Sequence, residues 1–199
     1  MEGDFNQMDP LFKNWRPPRY ENLRKILILI EDDPEQLTNL ARTAYRYFGS
    51  DQEVGVCMAA NVSTALVELN HYHEKSPDAM LIAVLDYNMG LNDGNDRRPT
   101  ETLFRHNKFQ HFLRNGGIIV IYSGFPEQVI QSPDFREAPD KYENLALLLA
   151  EKGQDRTEDV LRILYATTMK KIPRLREVAR KYKFDLGKII EVLRGGKRA

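Results

Sequence analysis

The sequence predicts an α/β protein, a doubly wound sheet of five parallel strands, and three observations predict it. Short aliphatic runs that are apolar on both faces recur along the chain, amphipathic helical patterns alternate with them, and chemically capable polar residues stand where the runs end. With 199 residues and 42% apolar composition the chain can bury the core of one ordinary domain. A large multidomain enzyme and a disordered chain are both excluded.

Residues 1–22 are polar and interrupted by Pro10, Pro17 and Pro18, and read as a leader. The first strand is Ile26 to Ile30, too short for a free-standing helix and apolar throughout, as a strand covered on both faces would be. Glu31, Asp32, Asp33 and Pro34 follow. Asp33 is placed to cap, and Pro34 to open, a helix carrying Leu37, Leu40, Ala41, Ala44 and Phe48 and stopped by Gly49. A second strand is expected over 53–59, and a second helix capped by Asn61 with Val62, Ala65, Leu66 and Leu69 on one face. The third strand is Met80 to Leu85. After a polar loop, one helix is expected over about 100–115, stopped by Gly116 and Gly117, and then a fourth strand from Ile118 to Tyr122. Pro126, Pro133 and Pro139 suggest a short helix mixed with loop over 125–144, before a fifth strand over 145–150 and a helix capped by Thr157 with Val160, Leu161 and Leu164.

Net charge is zero, yet its distribution is uneven: from Lys170 to Ala199 eleven basic residues face three acids, a local +8 balanced by −8 over residues 1–169. This tail holds two short amphipathic patterns, 172–182 and 185–193. It reads as a helical extension that is solvated or forms a homodimer, with nucleic-acid contact or docking on an acidic partner as weaker alternatives. Nucleic acid is not the expected partner. The α/β pattern is complete by Met169, so the expected organisation is a leader over 1–22, a domain over 23–169 and a basic extension over 170–199. The single cysteine, Cys57, permits no internal disulfide, and the longest apolar run, Ala79 to Leu85, is far short of a membrane span. A cytoplasmic protein is expected.

Ligands of a parallel α/β sheet bind outside the carboxyl ends of its strands. Glu31 and Asp32 end the first strand, Asp86 the third and Ser123 with Gly124 the fourth, and Lys152 follows the fifth. Each residue alone has a bland reading as a cap or a solvated side chain. Independent caps, however, need not place acids, a hydroxyl and an ammonium at the same end of four strands, so the joint pattern points to a functional site.

Over about residues 23–169 this pattern resembles the receiver domain of two-component response regulators, the CheY-like family. Glu31-Asp32 matches the family's magnesium-binding acidic pair, Asp86-Tyr-Asn-Met-Gly-Leu-Asn-Asp-Gly94 the stretch opening with the phosphorylated aspartate, Ser123 the Ser/Thr position and Lys152 the family lysine. The successive intervals, Asp32 to Asp86, Asp86 to Ser123 and Ser123 to Lys152, are 54, 37 and 29 residues, the last two somewhat long. The resemblance implies a flavodoxin-like strand order 2-1-3-4-5. It also implies Mg²⁺ as cofactor, with Asp32 as direct ligand, Glu31 acting mainly through water, and Asp86 and the Asn88 carbonyl completing the set. Asp86 would be the phosphoacceptor, assisted by Ser123 and Lys152. A histidine kinase or histidine phosphotransfer protein would supply the phosphoryl group, and a downstream protein would read the result. Charge supports this: three crowded carboxylates are balanced by Mg²⁺ plus Lys152.

The sequence departs from the family at Gly90 and Gly153, where proline is usual, and at Leu149, where many members carry an aromatic switch residue. Two competing readings are a haloacid-dehalogenase-type phosphatase and a receiver-like module used only for binding. The phosphatase family places its Asp-x-Asp motif first and its acidic pair last; here the pair comes first and position 88 is Asn. His71 and His73 do not share a helical face and read as no metal site, His106 and His111 as surface residues, and the Leu-Arg-Gly-Gly ending at Gly196 as chance. There is no phosphate-binding P-loop motif.

Overall fold

The computed structural model describes residues 20–87, 99–152, 157–168, 172–182, 185 and 187–189. Side chains of β1 (Lys25–Ile30) alternate between two cores: Ile26, Ile28 and Ile30 join one, Leu27 and Leu29 the other. A central strand buried on both faces needs apolar residues at every position, which is why the run is continuous. The same holds for β3 (Met80–Asp86) and β4 (Gly117–Ser123) up to their polar last residues, and the edge strand β5 (Leu145–Glu151) is buried through Ala150. With β2 (Val54–Ala59) at one edge, the five strands are parallel in the order β2-β1-β3-β4-β5, as the doubly wound, flavodoxin-like reading requires.

One layer contains α1 (Pro34–Phe48), α7 (Thr157–Thr168) and α8 (Ile172–Lys181). The other contains α2 (Val62–Lys75), α3 (Pro99–Arg105), α4 (Asn107–Arg114), α5 (Pro126–Gln131) and α6 (Pro133–Lys141). The Asp33 carboxylate accepts from the backbone N–H groups of Glu35 and Gln36, and the Asn61 side chain from that of Thr64, so both expected caps are formed. Gly116 adopts φ +89, and a Cβ on Gly117 would lie 2.2 Å from the Leu81 carbonyl oxygen. Glycine at both positions lets the chain leave α4 and enter β4 against β3.

Several boundaries differ from expectation. Glu53 stays outside β2 because Asp51 turns the chain there, its carbonyl accepting from the Val54 N–H and its carboxylate from the Glu53 N–H. The single helix expected over 100–115 is two helices: His106 is extended at φ −74, ψ 129, and its Nδ1 accepts from the Lys108 N–H, restarting the helix. Residues 125–144 hold two successive helices, each with proline in its first turn, and Pro139 lies buried inside the second beside Phe135 and Ala138. Thr157 is the first residue of α7 instead of its cap.

The described part of the basic tail is not a solvated extension. Leu175, Ala179 and Ile189 are buried in the α1 and α7 layer. Arg176 donates to the Glu143 carbonyl and, at 3.3 Å, to Asn144 Oδ1, while Arg180 donates to the Pro139 carbonyl at 2.7 Å. Asp185 forms a parallel bridge with Leu149 on the outer side of β5. Arg176 and Arg180 thus bind carbonyls near the end of α6 at the rim of α8, while its buried Leu175 and Ala179 face the core. Among the described residues no helix is long and apolar enough to cross a membrane.

Candidate functional site

Register brings the site together. Ile30 pairs with Leu85, Asp86 with Tyr122 and Ser123 with Glu151, so Glu31, Asp86, Ser123 and Lys152 emerge at the same carboxyl edge of the sheet. Glu31, Asp86 and Ser123 are buried and Asp32 is exposed. One carboxylate oxygen from each of Glu31, Asp32 and Asp86 lies within 4.8 Å of the others. Lys152 Nζ stands 2.8 Å from Glu31 Oε2, 3.0 Å from Glu31 Oε1 and 3.0 Å from Asp86 Oδ2. The backbone fixes its root, since the Lys152 N–H donates to the Ser123 carbonyl at 2.9 Å. Ser123 Oγ accepts from the Phe125 N–H at 3.0 Å, which leaves its own proton available to a further acceptor.

Electrostatics follow from this crowding. Burial pushes the Glu31 carboxyl up to about 7, and Asp86 adds to the rise against the opposing pull of Lys152 and the Asp33 N–H. For Lys152 burial works downward, but hydrogen bonding to Glu31 and the charge of Asp86 outweigh it, so the ammonium is held more firmly than usual. Glu31 Oε2 has the Lys152 ammonium as its partner at 2.8 Å. Three carboxylates whose oxygens lie within 4.8 Å of one another, two of them buried, outnumber the single ammonium and suit a small hard cation that prefers oxygen ligands.

The fold is flavodoxin-like. Its strand order is that of flavodoxin and CheY, with the acidic cluster and the lysine outside the carboxyl ends of the strands, where ligands bind in such sheets. Among solved structures the chain is similar to the isolated REC domain of RcsB from Salmonella enterica serovar Typhimurium, determined with the phosphomimetic BeF3-. The two are 16% identical, with a TM-score of 0.44 over 76% of this chain and 98% of that one. No protein-family model and no curated protein matches the sequence.

The sequence-derived residues Glu31, Asp32, Asp86, Ser123 and Lys152 all lie at this edge, whereas Asn88, Gly90 and Gly153 lie outside the described residues. Leu149 is buried and forms the bridge to Asp185. Of the histidines read as surface groups, His106 caps α4 and His111 meets the ring of His73 at 4.5 Å between centroids; His73 also has Lys108 Nζ at 3.1 Å. Sequence reasoning overlooked Tyr122, whose ring lies beneath Lys152; its signal was an aromatic residue closing an otherwise aliphatic run just before Ser123.

Proposed function

We propose that this protein is a response-regulator receiver that accepts a phosphoryl group on Asp86 from a histidine kinase or a histidine phosphotransfer protein. The observation that carries this reading is the Lys152 ammonium bridging Glu31 and Asp86 at the carboxyl edge of the sheet. Residues 23–169 are assigned as the receiver unit, with 1–22 as leader and 170–199 as extension. The work is self-phosphorylation and its reversal, not turnover of a separate substrate.

In the proposed step an Asp86 carboxylate oxygen forms a bond to phosphorus as the phosphorus–nitrogen bond of the donor phosphohistidine breaks. The electron pair of that bond stays on the imidazole, which takes a proton from solvent. Lys152, already 3.0 Å from Asp86 Oδ2, is placed to take a phosphoryl oxygen, and Ser123 can donate its hydroxyl proton to another. Asp32, Asp86 and, through water, Glu31 would hold Mg²⁺ together with the Asn88 carbonyl. When bound, Mg²⁺ supplies neutralising charge for the phosphoryl oxygens. A cytoplasmic location and a downstream protein partner belong to the same proposal.

The test is incubation with Mg²⁺ and acetyl phosphate, followed by intact mass. One added phosphoryl group is expected on the wild type and none on Asp86→Asn. Equal labelling of the two proteins would overturn the assignment, and a wild type that takes no label from acetyl phosphate or a phosphorylated transfer protein would favour a module used only for binding.

A further inference from the structure

We infer that Tyr122 is a positioning residue for Lys152, its ring forming the floor on which the ammonium rests between its carboxylate partners. The inference rests on the reading of Asp86 as phosphoacceptor and adds to it a residue outside the acidic, hydroxyl and lysine set. Lys152 Nζ stands over the Tyr122 ring, 5.6 Å from its centroid, within the range of a cation–π interaction. The other lysine–tyrosine contacts among the described residues, Lys141 with Tyr142 and Lys181 with Tyr182, join chain neighbours. This one is made by the sheet.

Tyr122 pairs in register with Asp86 on β3 and with Ala150 on β5, so it stands between the phosphoacceptor strand and the strand that delivers the lysine. Its side chain is buried in the α1 and α7 layer with Val120 and Ala150, and the preceding and following residues, Ile121 and Ser123, alternate to the other face. A lysine has four rotatable side-chain bonds, and a fixed surface under its head adds to its two carboxylate partners in keeping it aimed at one point.

The chemistry needs more than a salt bridge. In the resting site the ammonium is held by Glu31 and Asp86, yet phosphorylation requires it to exchange an Asp86 oxygen for a phosphoryl oxygen. A carboxylate beneath it would compete with the incoming group, and an aliphatic side chain would let it wander. The aromatic face attracts a cation without adding a charge that the phosphoryl oxygens must displace. Tyr122 therefore sets where the ammonium stands and leaves it free to change partners.

Two measurements test this on the full chain. Ring-current shifts report the contact directly: with ¹³Cε-labelled lysine, the Lys152 methylene protons should resonate upfield in wild type and Tyr122→Phe and return to ordinary values in Tyr122→Leu. At saturating acetyl phosphate and Mg²⁺, labelling of Asp86 should slow three- to tenfold in Tyr122→Leu, with its half-saturating donor concentration little changed, and recover to within twofold of wild type in Tyr122→Phe. An unshifted Lys152 resonance in wild type overturns the inference, as does a Leu variant that labels at the wild-type rate, or a Phe variant as slow as Leu, which would assign the effect to the hydroxyl. A shifted resonance in a protein that takes no label would instead overturn the phosphoacceptor reading and leave the contact standing.

Discussion

Lys152 and Glu31, 121 residues apart in sequence, meet through both carboxylate oxygens, at 2.8 and 3.0 Å. Even so, burial and Asp86 hold the Glu31 carboxyl at about 7. One ammonium does not neutralise this edge of the sheet. The resting site carries an excess of negative charge that a cation or a proton relieves.

A pH dependence follows. The native carboxyl of Glu31 binds its proton more tightly than the unfolded chain, whose value is near 4.5. Its contribution to stability is therefore complete below that value and is lost as pH rises through about 7. Urea unfolding without divalent cations should show wild-type stability falling between pH 5 and pH 8 relative to Glu31→Gln, and added Mg²⁺ at pH 8 should recover part of the loss. Parallel profiles for the two proteins would remove Glu31 as the titrating group.

On the proposed reading, persistence of phosphate on Asp86 would depend on access of water to the phosphorus opposite the carboxylate. Phe125, two residues beyond Ser123, is half-exposed at the start of α5, and its N–H is tied to Ser123 Oγ. A phenyl ring there can neither orient nor activate water. Phosphate on Asp86 should thus last many minutes, and Phe125→Glu should lose it several-fold faster while accepting it at the wild-type rate. Decay followed by intact mass after donor removal decides the matter, and equal decay in both proteins would take Phe125 out of the site.

The docked tail is testable by stability. Leu175 is 1% exposed against the α1 and α7 layer, so Leu175→Ala should cost about 2–4 kcal/mol in urea unfolding, as a large-to-small change in a core does. A solvated helix would register almost nothing. Removing residues 170–199 should leave a folded domain that still labels on Asp86, because no site residue is lost, but one with a clearly lower unfolding midpoint. An unchanged midpoint would show that α8 contributes nothing to the core.

The strands and the site edge were legible because their physics is local. A parallel strand covered on both faces must be apolar at each position, and a strand end in such a sheet is where polar groups can gather, so Ile26 to Ile30 followed by Glu31-Asp32, and Leu81 to Leu85 followed by Asp86, announce themselves. The caps at Asp33 and Asn61 are equally local, since a short side chain reaches an N–H two or three residues ahead.

Other features were decided by the tertiary structure. His106 breaks a pattern that is helical on either side of it, and nothing in the composition of 100–115 distinguishes that residue from its neighbours. The tail has a net charge of +8, and charge alone argues for solvent. Only the packed fold supplies the carbonyls of Pro139 in α6 and Glu143 just after it for Arg180 and Arg176, and the apolar floor for Leu175, Ala179 and Ile189. Composition counts charges without saying which groups will stand opposite them. For the same reason the sequence by itself determined the fold class, the strand ends and the five residues of the candidate site, whereas the pairing of Lys152 with Glu31 and the ring of Tyr122 beneath it depended on strand register, which brings together side chains from β1, β4 and the end of β5 that no local rule connects.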